Sequence, residues 1–193
     1  MRCVEEIYDE RKAMRRRTFC ALLGLIGSVF SRSAGTQNSM RLNIGDECPG
    51  FFTKLIDGGN FFLNEYVGEK AKRNIKGILF CFCSYTCKPC RNEIPELGKL
   101  YERYRDMGLE IFLVDVGDPE DVARKLIKEV GTGLPLMLDR YQVVAKRLGV
   151  TATPYNILLD GSGIVRFIHT GFGEDKTAEF IELLEKNIVA MLS

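Results

Sequence analysis

Residues 77–90 read Gly77-Ile78-Leu79-Phe80-Cys81-Phe82-Cys83-Ser84-Tyr85-Thr86-Cys87-Lys88-Pro89-Cys90. The first seven form a nearly continuous apolar run, as a parallel strand buried on both faces does. The last four are a Cys-x-x-C at the head of a helical pattern from Pro89 to Arg105, with Leu97, Leu100 and Tyr104 on one face. Pro95 falls inside that pattern and predicts a kink. The placement matters because the thiolate, not the thiol, is the nucleophile. A helix N-terminus favours the thiolate through unpaired N–H groups and partial positive charge. The spacing also lets a second thiol attack a mixed disulfide made by the first. Alone, Cys-x-x-C is equally half a zinc site; a strand before it and a helix after it point to thiol–disulfide exchange.

Working outward, Phe51–Lys54 and Asn60–Leu63 flank Asp57-Gly58-Gly59, a hairpin signal. Asn64 is placed to cap a short turn through Val67. C-terminal to residue 90, Glu110–Val114 reads as a strand, and Asp118-Pro119 as the opening of a helix to about Val130, with the proline at an N1-like position. Pro135–Leu138 is a short strand, and Tyr141–Leu148 a helix that ends near Gly149. Tyr155–Leu159 and Ile164–Thr170 flank the turn Asp160-Gly161-Ser162-Gly163, and Lys176–Leu192 is an amphipathic closing helix. The order predicts an α/β fold, a mixed central sheet with helices on both faces and an N-terminal β-hairpin. The pairs Phe51-Phe52 and Phe61-Phe62 read as core and hairpin packing, with an exposed fraction that could form a protein-binding patch.

At 193 residues the chain is long enough to bury a core without staples. A net charge of +1 gives no global pull toward nucleic acid. The basic residues concentrate at the start: residues 1–33 carry seven Lys/Arg against four Asp/Glu, leaving 20 and 22 for the remainder. Arg15, Arg16 and Arg17 precede the apolar stretch Phe19–Phe30, and small residues Ser31, Ser33, Ala34 and Gly35 follow. This is the layout of a signal peptide, loosely of the twin-arginine kind, and places a targeting segment at 1–35 with a linker at 36–42. Met14 begins a more ordinary signal than Met1 does. An uncleaved anchor or a basic tail is the alternative. No apolar run is long enough to span a membrane, and no lipobox cysteine follows Phe30. Of the seven cysteines, Cys48, Cys81, Cys83, Cys87 and Cys90 would remain after cleavage. An odd number in an exported protein fits one active pair plus buried thiols better than a disulfide framework.

From about Asn43 to Ser193 the chain resembles the thioredoxin fold, and within it the exported TlpA/ResA-like thiol–disulfide oxidoreductases, relatives of the AhpC/TSA redoxins. The resemblance rests on separate stretches: Gly45-Asp46-Glu47-Cys48-Pro49-Gly50-Phe51, Asp57-Gly58-Gly59 with Leu63-Asn64-Glu65-Tyr66, and Cys87-Lys88-Pro89-Cys90-Arg91-Asn92-Glu93-Ile94-Pro95. Leu138-Asp139, Gly149-Val150-Thr151-Ala152-Thr153-Pro154 and Asp160-Gly161-Ser162-Gly163 with Ile164 and Gly171 complete it. The chain departs from the pattern at Thr86, where the family has Trp, at Cys81, where thioredoxins bury Asp, and at Tyr155-Asn156. These departures bear on substrate choice and reduction potential.

The resemblance implies a redox-active Cys87–Cys90 disulfide and no other cofactor. Cys87 would be the exposed nucleophile, and Cys90, one turn in, the shielded thiol that resolves the mixed disulfide. Pro89 presets helical φ, and Lys88 adds positive charge beside a thiolate; an ordinary solvated lysine is the alternative. Glu93, three residues after Cys90, shares its helix face, and in the family the glutamate at this position assists proton transfer. Pro154 corresponds to the fold's cis-proline opposite Cys87, which exposes the Thr153 backbone to an extended substrate.

Cys81 and Cys83 share one face of their strand and read as small buried hydrophobes, or else join Cys87 and Cys90 in a four-sulfur metal site. The reading assigns no metal ligand; the lone His169 and Cys-x-x-C spacing do not match a copper carrier, although a thiol-based carrier is the second functional class. Ser84, three residues before Cys87, gives a faint peroxidase signal, but Phe80 stands where a proline is expected. The expected partners are a disulfide-containing protein substrate and a membrane thiol–disulfide electron donor, with no nucleic acid, and the chain is expected to be a monomer.

Overall fold

The apolar run 77–83 becomes an interior strand of a seven-stranded mixed sheet. The computed structural model describes residues 41–171 and 176–193. The strands are β1 (Phe52–Leu55), β2 (Asn60–Phe62), β3 (Gly77–Cys83), β4 (Leu109–Val116), β5 (Leu136–Asp139), β6 (Tyr155–Asp160) and β7 (Val165–Thr170). The helices among these residues are α1 (Lys88–Tyr104), α2 (Glu120–Val130), α3 (Val143–Arg147) and α4 (Thr177–Leu192). The sheet order is β2-β1-β5-β4-β3-β6-β7. β3 pairs parallel with β4 and antiparallel with β6, β4 pairs parallel with β5, and β1–β2 is the N-terminal hairpin.

Every residue of β3 is buried, so its alternation sorts side chains between two cores rather than between core and water. Leu79, Cys81 and Cys83 face a core closed by α1, α2 and α4, with Ile94, Leu97, Leu100, Ala123, Leu126, Leu184 and Ile188. Ile78, Phe80 and Phe82 face a second core built from the N-terminal segment, the hairpin and α3. This second core is aromatic: Phe61 contacts Phe51, Tyr66, Phe80 and Phe112 at centroid distances of 5.5, 4.7, 5.8 and 4.9 Å. Such ring pairs add stabilisation beyond the area they bury. Phe52 and Phe62 are cross-strand partners 4.8 Å apart on the outer side of the hairpin and stay half exposed.

Several boundaries differ from the sequence reading, each for a local reason. Pro119 is the extended N-cap of α2 rather than its first helical residue, and the acidic Glu120 and Asp121 occupy the first turn. α3 starts only at Val143, because Asp139 reaches forward to accept from the N–H groups of Val143, Val144 and Ala145 while Gln142 takes a left-handed φ of 57°. α1 runs unbroken through Pro95. Leu42, read as the end of the linker, is buried in the aromatic core. The targeting segment 1–35, the Met14 start and residues 36–40 lie outside the described residues.

Parallel strands β3, β4 and β5 deliver Cys83, Asp115 and Asp139 to one end of the sheet. β6 runs the other way, so its first residues arrive at that same end, with Tyr155 opposite Phe82. The carboxyl ends of parallel strands are where α/β sheets place their sites, and the Cys-x-x-C emerges there.

Candidate active site

Cys87 is the N-cap of α1, and its Sγ accepts a hydrogen bond from the Cys90 N–H at 3.3 Å. Pro89 stands in the first turn, where a missing N–H leaves nothing unsatisfied. The two cysteines are joined in a disulfide with a Cα–Cα separation of 5.3 Å. Cys87 keeps 8% of its surface and Cys90 none. The order of access is the one the sequence suggested, but Cys87 is far less exposed than expected, because the loop before it packs it into the core beside Cys83 and Cys90. Thr86 and Lys88 on either side are exposed.

Glu93, one turn after Cys90, is completely buried. Its Oε1 accepts from Asn156 Nδ2 at 2.8 Å and from Cys81 Sγ at 3.5 Å. Burial pushes this carboxyl up to about 7, against the pull of those two hydrogen bonds. A carboxyl titrating near neutrality and shielded from water has the properties of a general base or acid. Cys81, which stands where thioredoxins bury Asp, is itself held well above the ordinary thiol value by burial and by Glu93. Cys81 is therefore a neutral donor to Glu93 rather than a second nucleophile.

The sequence reading did not single out a further buried carboxyl at this end of the sheet. Asp115, directly across from Cys83 on β4, is fully buried, and its Oδ1 accepts from the Asp118 N–H at 3.2 Å. Burial and the nearby Asp118 push Asp115 up to about 7. Asp118 in turn accepts from the Tyr85 N–H at 2.6 Å, tying the loop ahead of Cys87 to the β4–α2 connection. Arg91 holds the same loop from α1, donating from Nε and Nη2 to the Tyr85 carbonyl at 3.2 and 3.0 Å while its guanidinium lies 4.4 Å above the Tyr85 ring. The clue to Asp115 and to Asn156 was available: each is a polar residue set between two hydrophobic ones in its strand, Val114 and Val116 for Asp115 and Tyr155 and Ile157 for Asn156.

The Thr153–Pro154 peptide bond is cis. Pro154 is buried and its carbonyl accepts from Gly171 N–H at 3.0 Å, while Thr153 is partly exposed at the same sheet end as the disulfide. Cys48, Cys81 and Cys83 are free and buried; burial pushes Cys48 up to about 12. Among the described residues no cluster of three or more His, Cys, Asp or Glu is placed to hold a metal ion. His169 lies across from Asn156 on β7, its ring 4.8 Å from that of Phe180. No described helix is long and apolar enough to cross a membrane.

The AhpC/TSA family pattern matches residues 44–168. The thiol–disulfide oxidoreductase ResA of Geobacillus thermodenitrificans is 30% identical over 163 residues, covering 84% of this chain and 89% of that protein. Among solved structures, the thioredoxin domain of a thiol–disulfide oxidoreductase from Bacteroides vulgatus superposes with a TM-score of 0.60 at 25% identity, covering 74% of this chain and 98% of that one. The peroxidoxin BcpB of Mycobacterium tuberculosis shares the fold, with a TM-score of 0.62 at 16% identity over 77% of this chain and 99% of its own. With its disulfide at a helix N-terminus and these likenesses over most of its length, the chain belongs to the AhpC/TSA family, among the ResA-like thiol–disulfide oxidoreductases.

Proposed function

We propose that this enzyme is exported and works as a reductase of protein disulfides, with Cys87 as nucleophile, Cys90 as resolving thiol and Glu93 as proton acceptor. The Cys87 thiolate attacks one sulfur of a substrate disulfide, forming a mixed disulfide and releasing the first substrate thiolate. Cys90 then loses its proton to Glu93 as its sulfur attacks Cys87. The Cys87–Cys90 disulfide forms, and the second substrate thiolate leaves. The substrate gains two electrons and the dithiol loses them, so a dithiol donor must restore the pair; outside the cytoplasm that donor is a membrane thiol–disulfide carrier. Thr153, beside the cis-proline, offers backbone for pairing with an extended substrate segment, and a monomer suffices for each step.

The observation that carries this reading is the buried carboxyl of Glu93, with a value pushed up to about 7, one helical turn from Cys90. It can take a proton at neutral pH and is out of reach of bulk water. The arginine run ahead of Phe19 supports export. The ResA likeness supports roles such as keeping the haem-attachment thiols of apocytochrome c, or a copper-site precursor, reduced. The test is a redox titration of the Cys87–Cys90 pair against glutathione or dithiothreitol with thiol trapping. A potential of about −250 mV or lower is expected of a reductase, whereas one near −120 mV belongs to an oxidant and would overturn the direction. Cys87→Ser should abolish turnover.

A further inference from the structure

Glu93 has a partner that neither the Cys-x-x-C motif nor the helix carrying it supplies. Asn156 lies on β6 directly opposite Cys81 of β3. Tyr155, Ile157 and Leu159 of that strand enter the aromatic core, so Asn156, like Leu158, points to the face covered by α1. It is fully buried there, and its Nδ2 donates to Glu93 Oε1 at 2.8 Å. The Cys81 thiol reaches the same oxygen from the neighbouring strand. Both donors converge on Oε1, and no protein group among the described residues donates to Oε2.

We propose that Asn156 is a positioning residue for the redox reaction: its amide holds Glu93 in the ionised, proton-accepting form and reserves Oε2 as the oxygen that takes the Cys90 proton. The inference rests on the acceptor role proposed for Glu93. An ionised carboxylate in an apolar interior needs charge-assisted hydrogen bonds to exist. Asn156 is the shorter and stronger of the two that Glu93 receives. An amide is suited to the task because it remains a donor throughout the pH range, whereas an aspartate in its place would repel the charge it should hold. The titratable groups facing Glu93 are the Cys81 and Cys83 thiols of β3, both kept neutral by burial, and Cys90 of its own helix. His169 lies beyond Asn156 on β7, and burial lowers its value as well. No cation faces Glu93 among these groups, so the amide carries the stabilisation of the anion.

The test is a carboxyl 13C NMR titration of Glu93 in the oxidised protein, wild type and Asn156→Leu. Leu fills similar volume, and it also removes the buried Asn156 Oδ1, which has no hydrogen-bond partner among the described residues. Losing a hydrogen bond to a charged group should move the Glu93 midpoint upward by about one to two pH units. Resolution of the Cys87 mixed disulfide, followed by quenched single turnover at neutral pH, should slow by about five- to fiftyfold and recover as pH rises. In a Glu93→Gln background the Asn156→Leu effect on that pH profile should vanish, because the two residues act as one unit. An unmoved Glu93 midpoint in folded Asn156→Leu overturns the inference. If Glu93→Gln changes the profile and Asn156→Leu does not, the Asn156 role alone falls. If Glu93→Gln leaves the profile as in wild type, the acceptor assignment falls and takes this inference with it. The wild type gives a check that needs no variant: the Asn156 side-chain amide resonances should titrate with the Glu93 midpoint, and a flat response there also overturns the proposal.

Discussion

Glu93→Gln turns the buried carboxyl into a stability measurement. An ordinary glutamate titrates at 4.5, and burial pushes Glu93 up to about 7 in the folded protein. The native state therefore prefers the protonated form. The stability associated with that preference is fully present below about pH 4.5 and is lost as pH rises through about 7. Once the group is fully ionised, the loss amounts to about 3 kcal/mol. Glutamine is neutral at every pH and keeps an oxygen to accept from Asn156. Urea unfolding of the oxidised wild type and variant at about pH 4 and about pH 8 isolates Glu93, since other groups titrate in both proteins and cancel in the difference. The variant should gain about 3 kcal/mol on the wild type between the two conditions. A difference constant to within about 0.5 kcal/mol would show that Glu93 titrates in the fold as it does in the unfolded chain, and the case for it as proton acceptor near neutral pH would collapse.

Cys90→Ser should leave Cys87 able to attack but unable to be released, so mass spectrometry should find a trapped mixed disulfide with a substrate peptide; free enzyme alone would refute the division of roles. Asp115 is raised to about 7 by burial beside Asp118, so Asp115→Asn should gain thermal stability relative to wild type as pH rises through about 7, and a gap that does not widen would contradict its burial as a neutral acid. Phe61→Ala removes the ring that contacts Phe51, Tyr66, Phe80 and Phe112 and should lose about 3–5 kcal/mol in urea unfolding; a loss below about 1 kcal/mol would mean that this core is not packed as described.

Local pattern carried much of the fold. Gly77–Cys83 is a strand at the bounds its apolar run marked, and the hairpin turn at Asp57-Gly58-Gly59 and the helix after Cys87 follow from short-range rules of periodicity, turn residues and caps. The Cys-x-x-C and its glutamate were legible for the same reason: three residues of spacing on one helix fix their shared face whatever the rest of the chain does. The sequence alone also determined that Cys81 and Cys83 lie on one face of their strand. What it could not state is what that face meets, because cross-strand register joins residues far apart in the chain. Only the pairing of β3 with β6 sets Asn156 beside Cys81 and under Glu93, and only the pairing of β3 with β4 sets Asp115 beside Cys83. The shielding of Cys87 was likewise decided by tertiary packing, since exposure depends on neighbours from α1 and the loop ahead of it rather than on position in a motif. Local rules placed the sulfurs; long-range pairing determined the polar groups and the low-dielectric surroundings that set their protonation.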